Sequence, residues 1–119
     1  MAENKEDGKM RIAMPIAQGQ LCMHFGHCEE FAFFDVEDGQ IKGKQMLTPP
    51  PHAPGVIPQW VHELGATMVI AGGMGSRAVS LFEQQGVHVI VGAPGHTPEE
   101  VVTAYLNGTL KTGENVCDH

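Results

Sequence analysis

The sequence predicts an α/β domain built as a three-layer sandwich around a mixed five-stranded sheet, and three observations predict it. Short apolar runs alternate in the second half with segments whose apolar residues recur at helical spacing, which is typical of strands joined by crossover helices. Two runs rich in β-forming residues flank Asp38-Gly39, a dipeptide strongly typical of hairpin turns. The length of 119 residues corresponds to one domain.

The first half predicts three strands. The apolar run "MRIAMPIA" is bounded by polar residues and by Pro15, and it predicts a strand over Met10–Pro15. The runs on either side of Asp38-Gly39 predict a hairpin formed by Glu30–Glu37 and Gln40–Leu47. The following "TPPPHAPG" is predicted as a loop, because consecutive prolines remove backbone donors and fix φ.

The second half predicts three helices and two strands. "VIPQWVHELG" has helical apolar spacing and ends at Gly65, and "SRAVSLFEQQG" extends from Ser76 as N-cap to Gly86. "TPEEVVTAYLNG" begins with Thr97 in a capping box, followed by an N1 proline, and ends at Gly108. The continuous apolar runs "TMVIAGG" and "VHVIVG" predict strands buried on both faces.

This element order predicts where the loops lie. Right-handed crossovers give the strand order 3-2-1-4-5, with strand 2 antiparallel to its neighbours. The loops after strands 1, 3, 4 and 5 then leave the same edge, where α/β sheets bind ligands. They are Ile16–Glu29, Thr48–Gly55, Gly72–Gly75 and Gly92–His96. Residues 111–119 form a flexible tail that starts at the opposite edge and is long enough to return.

Composition excludes several functions. The formal net charge is −7 with only 7 Lys and Arg, which argues against binding to nucleic acid or to an anionic membrane. Residues 1–9 are acidic and polar, without a signal-peptide pattern, and are predicted to be a disordered leader before a domain at 10–110. A cytoplasmic location is expected, where the 3 cysteines would be thiols or metal ligands rather than disulfides.

Candidate metal ligands concentrate in "CMHFGHC", residues 22–28. Its spacing matches no zinc-finger template, and an incidental clustering is the alternative. A metal role is favoured for Cys22 and His24, less so for His27, while Cys28 can equally be a small buried residue. Thiolate and imidazole suit Cu, Fe–S or Zn rather than Mg or Ca. The further candidate metal ligands, in other loops and in the tail, are His52, Cys117 and His119.

The turn "GGMGSRA" is the second candidate. Glycines let the backbone approach a ligand, and the N–H groups at the start of a helix attract anions. A simple strand-to-helix turn is the alternative, since the P-loop lysine and the dinucleotide-binding spacing are missing. Candidate cofactor-binding residues in this turn are Gly72, Gly73, Met74, Gly75 and Arg77. No nucleophile motif or multi-carboxylate metal site stands out elsewhere.

The chain also resembles a known family. The segments "RIAMPIA…HFGHCEEFAFFDVEDG", "GATMVIAGGMGSRAVSLFEQQGVHVIVG" and "TPEEVVTAYLNGTL" are similar to the dinitrogenase iron–molybdenum cofactor biosynthesis family, especially its small orange-protein branch. The resemblance implies a ribonuclease H-like sheet without nuclease chemistry. It further implies that the protein binds a molybdenum- or iron-containing sulfide cluster, such as a Mo–Cu cluster. The His-Phe-Gly motif adds Gly26 to the cofactor-binding candidates.

Three functions follow as hypotheses. The first is a non-catalytic carrier that exchanges such a cluster with donor and acceptor proteins, as a monomer or weak oligomer. The second is a simple Zn or Cu site formed by Cys22, His24, Cys117 and His119. The third is a protein-interaction or regulatory module whose metal-like residues are incidental.

Overall fold

The computed structural model describes residues 9–23, 25, 28–51 and 55–113. The predicted leader therefore lies almost entirely outside the described residues. Six strands and three helices are present in this part of the chain. They are β1 (Lys9–Ala17), β2 (Gln20–Leu21), β3 (Glu30–Glu37), β4 (Gln40–Leu47), α1 (Val56–Glu63), β5 (Met68–Ile70), α2 (Ser76–Gln84), β6 (His88–Ile90) and α3 (Pro98–Asn107).

The main strands form one mixed sheet in the order β4-β3-β1-β5-β6. β3 is antiparallel to both β1 and β4, whereas β5 and β6 run parallel to β1. This is the order that the sequence predicts, with its second predicted strand antiparallel. The strands β1, β4, β5 and β6 consequently end at the same edge of the sheet, which we call the carboxyl edge.

The prediction that the first strand stops at Pro15 is wrong. β1 continues to Ala17 and pairs with β3 as far as Ile16 opposite Glu30. The Pro15 carbonyl accepts the Cys22 N–H, so this residue turns its hydrogen-bonding side away from β3. β1 pairs with β5 at Ile12 and Ala13, before Pro15. The missing N–H of Pro15 therefore removes no hydrogen bond between β1 and β5.

The prediction of five strands also missed β2. Gln18 and Gly19 both have positive φ, 55° and 78°, and they turn the chain straight back onto β1. The resulting pairs are Ile16 with Leu21 and Ala17 with Gln20. The Asp38-Gly39 hairpin was predicted correctly and has the same pair of positive φ values, 54° and 77°.

Helices cover both faces of the sheet, which confirms the three-layer sandwich. On one face, Val101 and Val102 of α3 pack against Met14 and Phe34 of β1 and β3. On the other face, Val61 of α1 and Phe82 of α2 pack in a second core with the sheet residues Phe31, Phe33 and Val69. Of the helices described here, none has the length and apolar character that a membrane span requires.

The helix ends follow the local sequence with one exception. Thr97 and Glu100 form the reciprocal capping box, and Gly108 ends α3 with φ of 74°. Gly86 follows α2 with φ of 81°, as expected for a residue just beyond a helix. The assignment of Ser76 as N-cap is wrong, because Gly75 takes that position and no side chain caps α2.

Candidate functional site at the carboxyl edge

β2 carries the first loop over the end of β5. β3 covers one side of β1 from Lys9 to Ile16, so β5 and β2 share its other side. β2 therefore lies in line with β5, beyond its carboxyl end. Two hydrogen bonds hold it there, from Cys22 N–H to the Pro15 carbonyl over 2.9 Å and from Leu21 N–H to the His96 carbonyl over 2.8 Å.

This placement joins the first loop to residues Gly72–Gly75, which we call the glycine turn. A Cβ on Gly72 would lie 2.8 Å from Met23 Sδ, 2.9 Å from Met23 Cα and 3.0 Å from the Cys22 carbonyl oxygen. The Phe25 N–H also donates to the Gly73 carbonyl over 3.0 Å. Gly72 has no positive φ, so glycine is required here for close approach rather than for an unusual backbone conformation.

The glycine turn offers backbone donors that no described group accepts. Gly72 and Gly73 are buried. Within the part of the chain that the structure describes, the N–H groups of Gly72, Gly73 and Gly75 donate to no carbonyl or side-chain oxygen. By contrast, the preceding Ala71 N–H donates to the Ile90 carbonyl over 2.9 Å. Buried backbone donors are almost always paired, so this turn is suited to accept an anionic ligand.

The beginning of α2 adds to this donor set. Its first turn contains no acidic residue, and the exposed Arg77 lies there. α3 begins at the same edge but differs, because its first turn contains Glu99 and Glu100 and its N-cap is satisfied by the capping box. The uncapped start of α2 therefore favours negative charge, whereas the start of α3 already has carboxylates.

Two thiols flank the first loop. Cys22 is buried and Cys28 is partly exposed. Burial first, and the nearby Cys22 second, raise the pKa of the Cys28 thiol to about 11. The two side chains therefore lie within electrostatic range of each other. Cys28 stays protonated near neutral pH, and a metal ion that binds it must displace the proton.

The loop after β6 carries the fourth predicted segment. The His96 imidazole is exposed, and its Nδ1 lies 3.8 Å from the Glu100 carboxylate. A cavity of about 260 Å³ opens beside it, lined by residues that include Pro94 and Val101. The structure thus places the His96 side chain next to α3.

The segment after α3 returns to the carboxyl edge. The Gly92 N–H donates to the Gly72 carbonyl over 2.9 Å, and the Gly113 N–H donates to the Gly92 carbonyl over 2.7 Å. A Cβ on Gly92 would overlap the Gly113 carbonyl oxygen. These three glycines form a lateral ladder across the edge, and the tail enters the region of the glycine turn at Gly113.

Most of the chain matches the model of a known protein family. The family model described as "Dinitrogenase iron-molybdenum cofactor" matches residues 8–108. The chain belongs to this family. Its resemblance to the family is thus confirmed over nearly the whole predicted domain.

One curated protein and several solved structures are similar to most of this chain. "Uncharacterized protein MJ0580" of Methanocaldococcus jannaschii is 31% identical over 110 residues, covering 88% of this chain and 92% of that protein. The crystal structure of PH0822 has a TM-score of 0.82 at 28% identity, covering 89% of this chain and 96% of that one. The apo form of the orange protein from Desulfovibrio gigas has a TM-score of 0.69 at 21% identity, covering 89% of this chain and 94% of that one.

The predicted site residues are distributed unevenly in this family member. Cys22 and the glycine turn meet as described, and Arg77 is exposed at the start of α2. Met74 is fully buried, and its side chain packs in the core with Phe82 and Val61. Several predicted residues lie outside the described ranges, so their positions stay predictions: His24, Gly26, His27, His52, Cys117 and His119.

The described backbone donors, together with Arg77, suit an anionic ligand. Within residues 9–23, 25, 28–51 and 55–113, no three His, Cys, Asp or Glu side chains group so as to hold a metal ion. Backbone N–H groups and Arg77 match an anion. Because Cys28 is uncharged near neutral pH, its thiol would not repel such a ligand.

Sequence reasoning assigned no role to Gly92 or Gly95, and it included Met23 only as a soft ligand within the candidate segment 22–28. All three residues contribute to the contacts at this edge. A Cβ on Gly95 would lie 3.2 Å from Met23 Sδ. The sequence signal for these contacts was the presence of glycines after two successive strands. This signal is ambiguous, because a glycine that follows a strand also fits an ordinary turn.

Proposed function

We propose that the protein binds a molybdenum- or iron-containing metal–sulfide cluster at the carboxyl edge and carries it without catalysing a reaction. The observation that carries this proposal is the glycine turn, which packs against the first loop through Gly72 and whose Gly72, Gly73 and Gly75 N–H groups have no acceptor among the described residues. Membership of a family described by the iron–molybdenum cofactor supports the same cargo class.

A metal–sulfide cluster is polyanionic, and its charge is spread over many sulfide ligands. Backbone N–H groups can donate hydrogen bonds to sulfides from several directions, and each of these bonds is weak. The start of α2 contributes a favourable dipole, and Arg77 contributes a cation. This arrangement would hold the cluster by many weak contacts, so that it can be loaded and released.

The first loop would add few direct metal bonds. The pKa of the Cys28 thiol is raised to about 11, so Cys28 offers no ready thiolate at neutral pH, and Cys22 is buried. We propose that Cys22 and His24 bind cluster metal where the cargo offers an open position, with Gly26 and His27 shaping the loop around it. A Mo–Cu sulfide cluster fits these soft donors.

A carrier role requires donor and acceptor proteins rather than acid–base catalysis. Asp35, the carboxylate that lies inside a strand, forms an ion pair with Arg11 over 2.9 Å. Arg11 lies near the start of β1, away from the carboxyl edge. We therefore propose that the exposed carboxyl edge, which holds the cargo, is also the surface that meets those partners in the cytoplasm.

The test is reconstitution without oxygen. The protein is mixed with tetrathiomolybdate and either Cu(I) or Fe(II), desalted, and analysed for metals and visible absorption. Binding should shift the amide resonances of Gly72, Gly73 and Gly75, and Arg77→Gln should weaken retention several-fold. Lys42→Gln removes the same charge on β4, near the start of that strand, and should retain cargo normally. A protein that retains no metal under either condition would refute the proposal.

A simple Zn or Cu site is the second candidate, and the glycine ladder favours it. Gly113 lies about two strand spacings, roughly 10 Å, from Gly72. The chain from Gly113 to Cys117 can span up to about 14 Å, so Cys117 and His119 are within reach of Cys22. Stoichiometric Zn(II) binding that raises the melting temperature and disappears in a Cys117→Ser, His119→Ala variant would favour this candidate.

A further inference from the structure

Met23 is exposed where its surroundings would allow burial. Among the described residues, the exposed large hydrophobic residues are Met23, Ile41 and Met46, whose relative solvent exposures are 40%, 37% and 37%. Ile41 and Met46 lie on β4, an edge strand, which explains their exposure. Met23 directly follows the buried Cys22, in the loop that packs against the glycine turn at the carboxyl edge.

The exposed Met23 side chain lies in a notch between two glycines of different loops. Its Sδ is 2.8 Å from the position of a Cβ on Gly72 and 3.2 Å from that on Gly95. A Cβ on Gly72 would also lie 2.9 Å from Met23 Cα, so that position has no room for a side chain. A Cβ on Gly95 would require the thioether to shift by a few tenths of an ångström. Methionine normally loses much rotamer freedom when it is held, so ordering it at a surface has a cost.

A purely structural role does not account for this arrangement. A methionine that only filled the gap between the two glycine loops would be covered, because burial of its methyl and methylene groups is what stabilises packing. Here one side of the side chain lies against Gly72 and Gly95, and the residue is 40% exposed. It is presented next to the glycine turn, whose N–H groups of Gly72 and Gly73 find no described acceptor.

The exposed Met23 thioether can bind a metal without losing a proton. A thioether is a soft, neutral ligand that favours Cu(I)-class ions over hard ones. A cysteine thiol differs in this, because the thiolate is the form that binds a metal. Binding through Met23 would form one sulfur–metal bond and leave the oxidation state of both partners unchanged.

We propose that Met23 Sδ binds directly to a thiophilic, Cu(I)-class metal of the cargo, held ready by the notch between Gly72 and Gly95. This inference rests on the proposed function and narrows it to clusters that contain such a metal. The other ligands of that metal would be sulfides of the cluster itself, so a single protein thioether is sufficient.

The test compares two exposed methionines. Met23→Leu keeps an apolar side chain of similar volume and removes the sulfur, whereas Met46→Leu is the matched control on β4. Without oxygen, each variant is loaded with tetrathiomolybdate and Cu(I), and retained copper is measured against a competing chelator. Met23→Leu should weaken copper retention about tenfold, close to 1.4 kcal/mol, and Met46→Leu should leave it unchanged.

A second measurement on the unmodified protein removes any dependence on folding of the variant. The methionine ε-methyl groups are labelled with carbon-13, and Ag(I), a redox-inert probe of the same class, is added beyond saturation of the 3 thiols. The Met23 methyl should shift at a lower Ag(I) concentration than the Met46 methyl. Equal responses of the two methyls, together with normal copper retention by Met23→Leu, would overturn the inference.

The outcomes also separate this inference from the function on which it rests. Cluster uptake that persists in Met23→Leu, with no selective methyl shift, would refute the thioether contact and leave the carrier proposal standing. A selective Met23 shift with Ag(I) in a protein that never takes up a cluster would refute the carrier proposal and reduce Met23 to a simple metal contact.

Discussion

Gly113 donates its backbone N–H to the carbonyl of Gly92 over 2.7 Å, and the approach is so close that no side chain fits on Gly92. Gly92 also has a left-handed backbone, with φ of 83°. The contact brings the chain after α3 back to the carboxyl edge, beside the glycine turn.

Gly92→Ala should cost clearly more stability than a left-handed backbone explains. Gly86→Ala is the matched control, since Gly86 has φ of 81° and open space around its Cβ position. The control should lose about 1–2 kcal/mol of unfolding free energy from backbone strain alone. Gly92→Ala should lose at least about 1 kcal/mol more because it must also displace Gly113. Urea denaturation measures both, and equal losses would contradict the contact.

Gly72→Ala should separate the first loop from the glycine turn. The new Cβ would lie 2.8–3.0 Å from atoms of Met23 and Cys22, so the loop has to move. Overpacking of this kind typically costs about 1–3 kcal/mol, and cluster retention should fall in parallel. Gly43→Ala is the control because its Cβ would meet Asp35 at an ordinary 3.6 Å. Normal cluster retention by Gly72→Ala would show that the packing of these loops is not needed for binding.

Cys28 should react slowly with alkylating agents in spite of its partial exposure. Burial first, and the nearby Cys22 second, raise the pKa of its thiol to about 11. The thiolate fraction at pH 7 is then on the order of 10⁻⁴. Iodoacetamide labelling followed by mass spectrometry should show a rate that rises steadily between pH 7 and 10, far below the rate in urea-unfolded protein. Cys22→Ser should speed the reaction moderately, and a fast reaction of native Cys28 at pH 7 would contradict the burial.

The capping box of α3 should make stability depend on acid pH. Hydrogen bonds with the Thr97 backbone and hydroxyl hold the pKa of Glu100 below its usual value. A carboxylate with a lowered pKa stabilises the fold above its unfolded pKa, and this contribution disappears as the pH falls through its folded pKa. Thr97→Ala removes the hydroxyl but keeps the backbone N–H that donates to Glu100, so it should cost about 0.5–2 kcal/mol at pH 7. It should flatten part of the pH dependence below the usual pKa of a glutamate.

Thr97→Ser is the control for the capping box, since its hydroxyl can accept the same Glu100 N–H. Urea unfolding at a series of pH values should give the same slope for Thr97→Ser as for the unsubstituted protein. A Thr97→Ala variant with an unchanged slope would show that Glu100 does not depend on the capping box.

The local features of this fold could be derived from the sequence because each depends on residues close together in the chain. Asp38-Gly39 predicts a turn through the backbone preferences of two adjacent residues, and Thr97 with Glu100 predicts a helix start through hydrogen bonds within one turn. The apolar runs likewise predict the strand order, since crossover handedness leaves few arrangements. That order then placed the predicted loops at one edge.

The contacts that make this edge a candidate site were decided only by the tertiary structure. β2 is too short to leave a periodic signal, and it exists because the end of β5 leaves one side of β1 unpaired. The approach of Gly72 to Met23 and of Gly92 to Gly113 joins residues that are far apart in the chain. A glycine in the sequence shows that close approach is permitted, but which atoms approach it depends on how separate loops pack together.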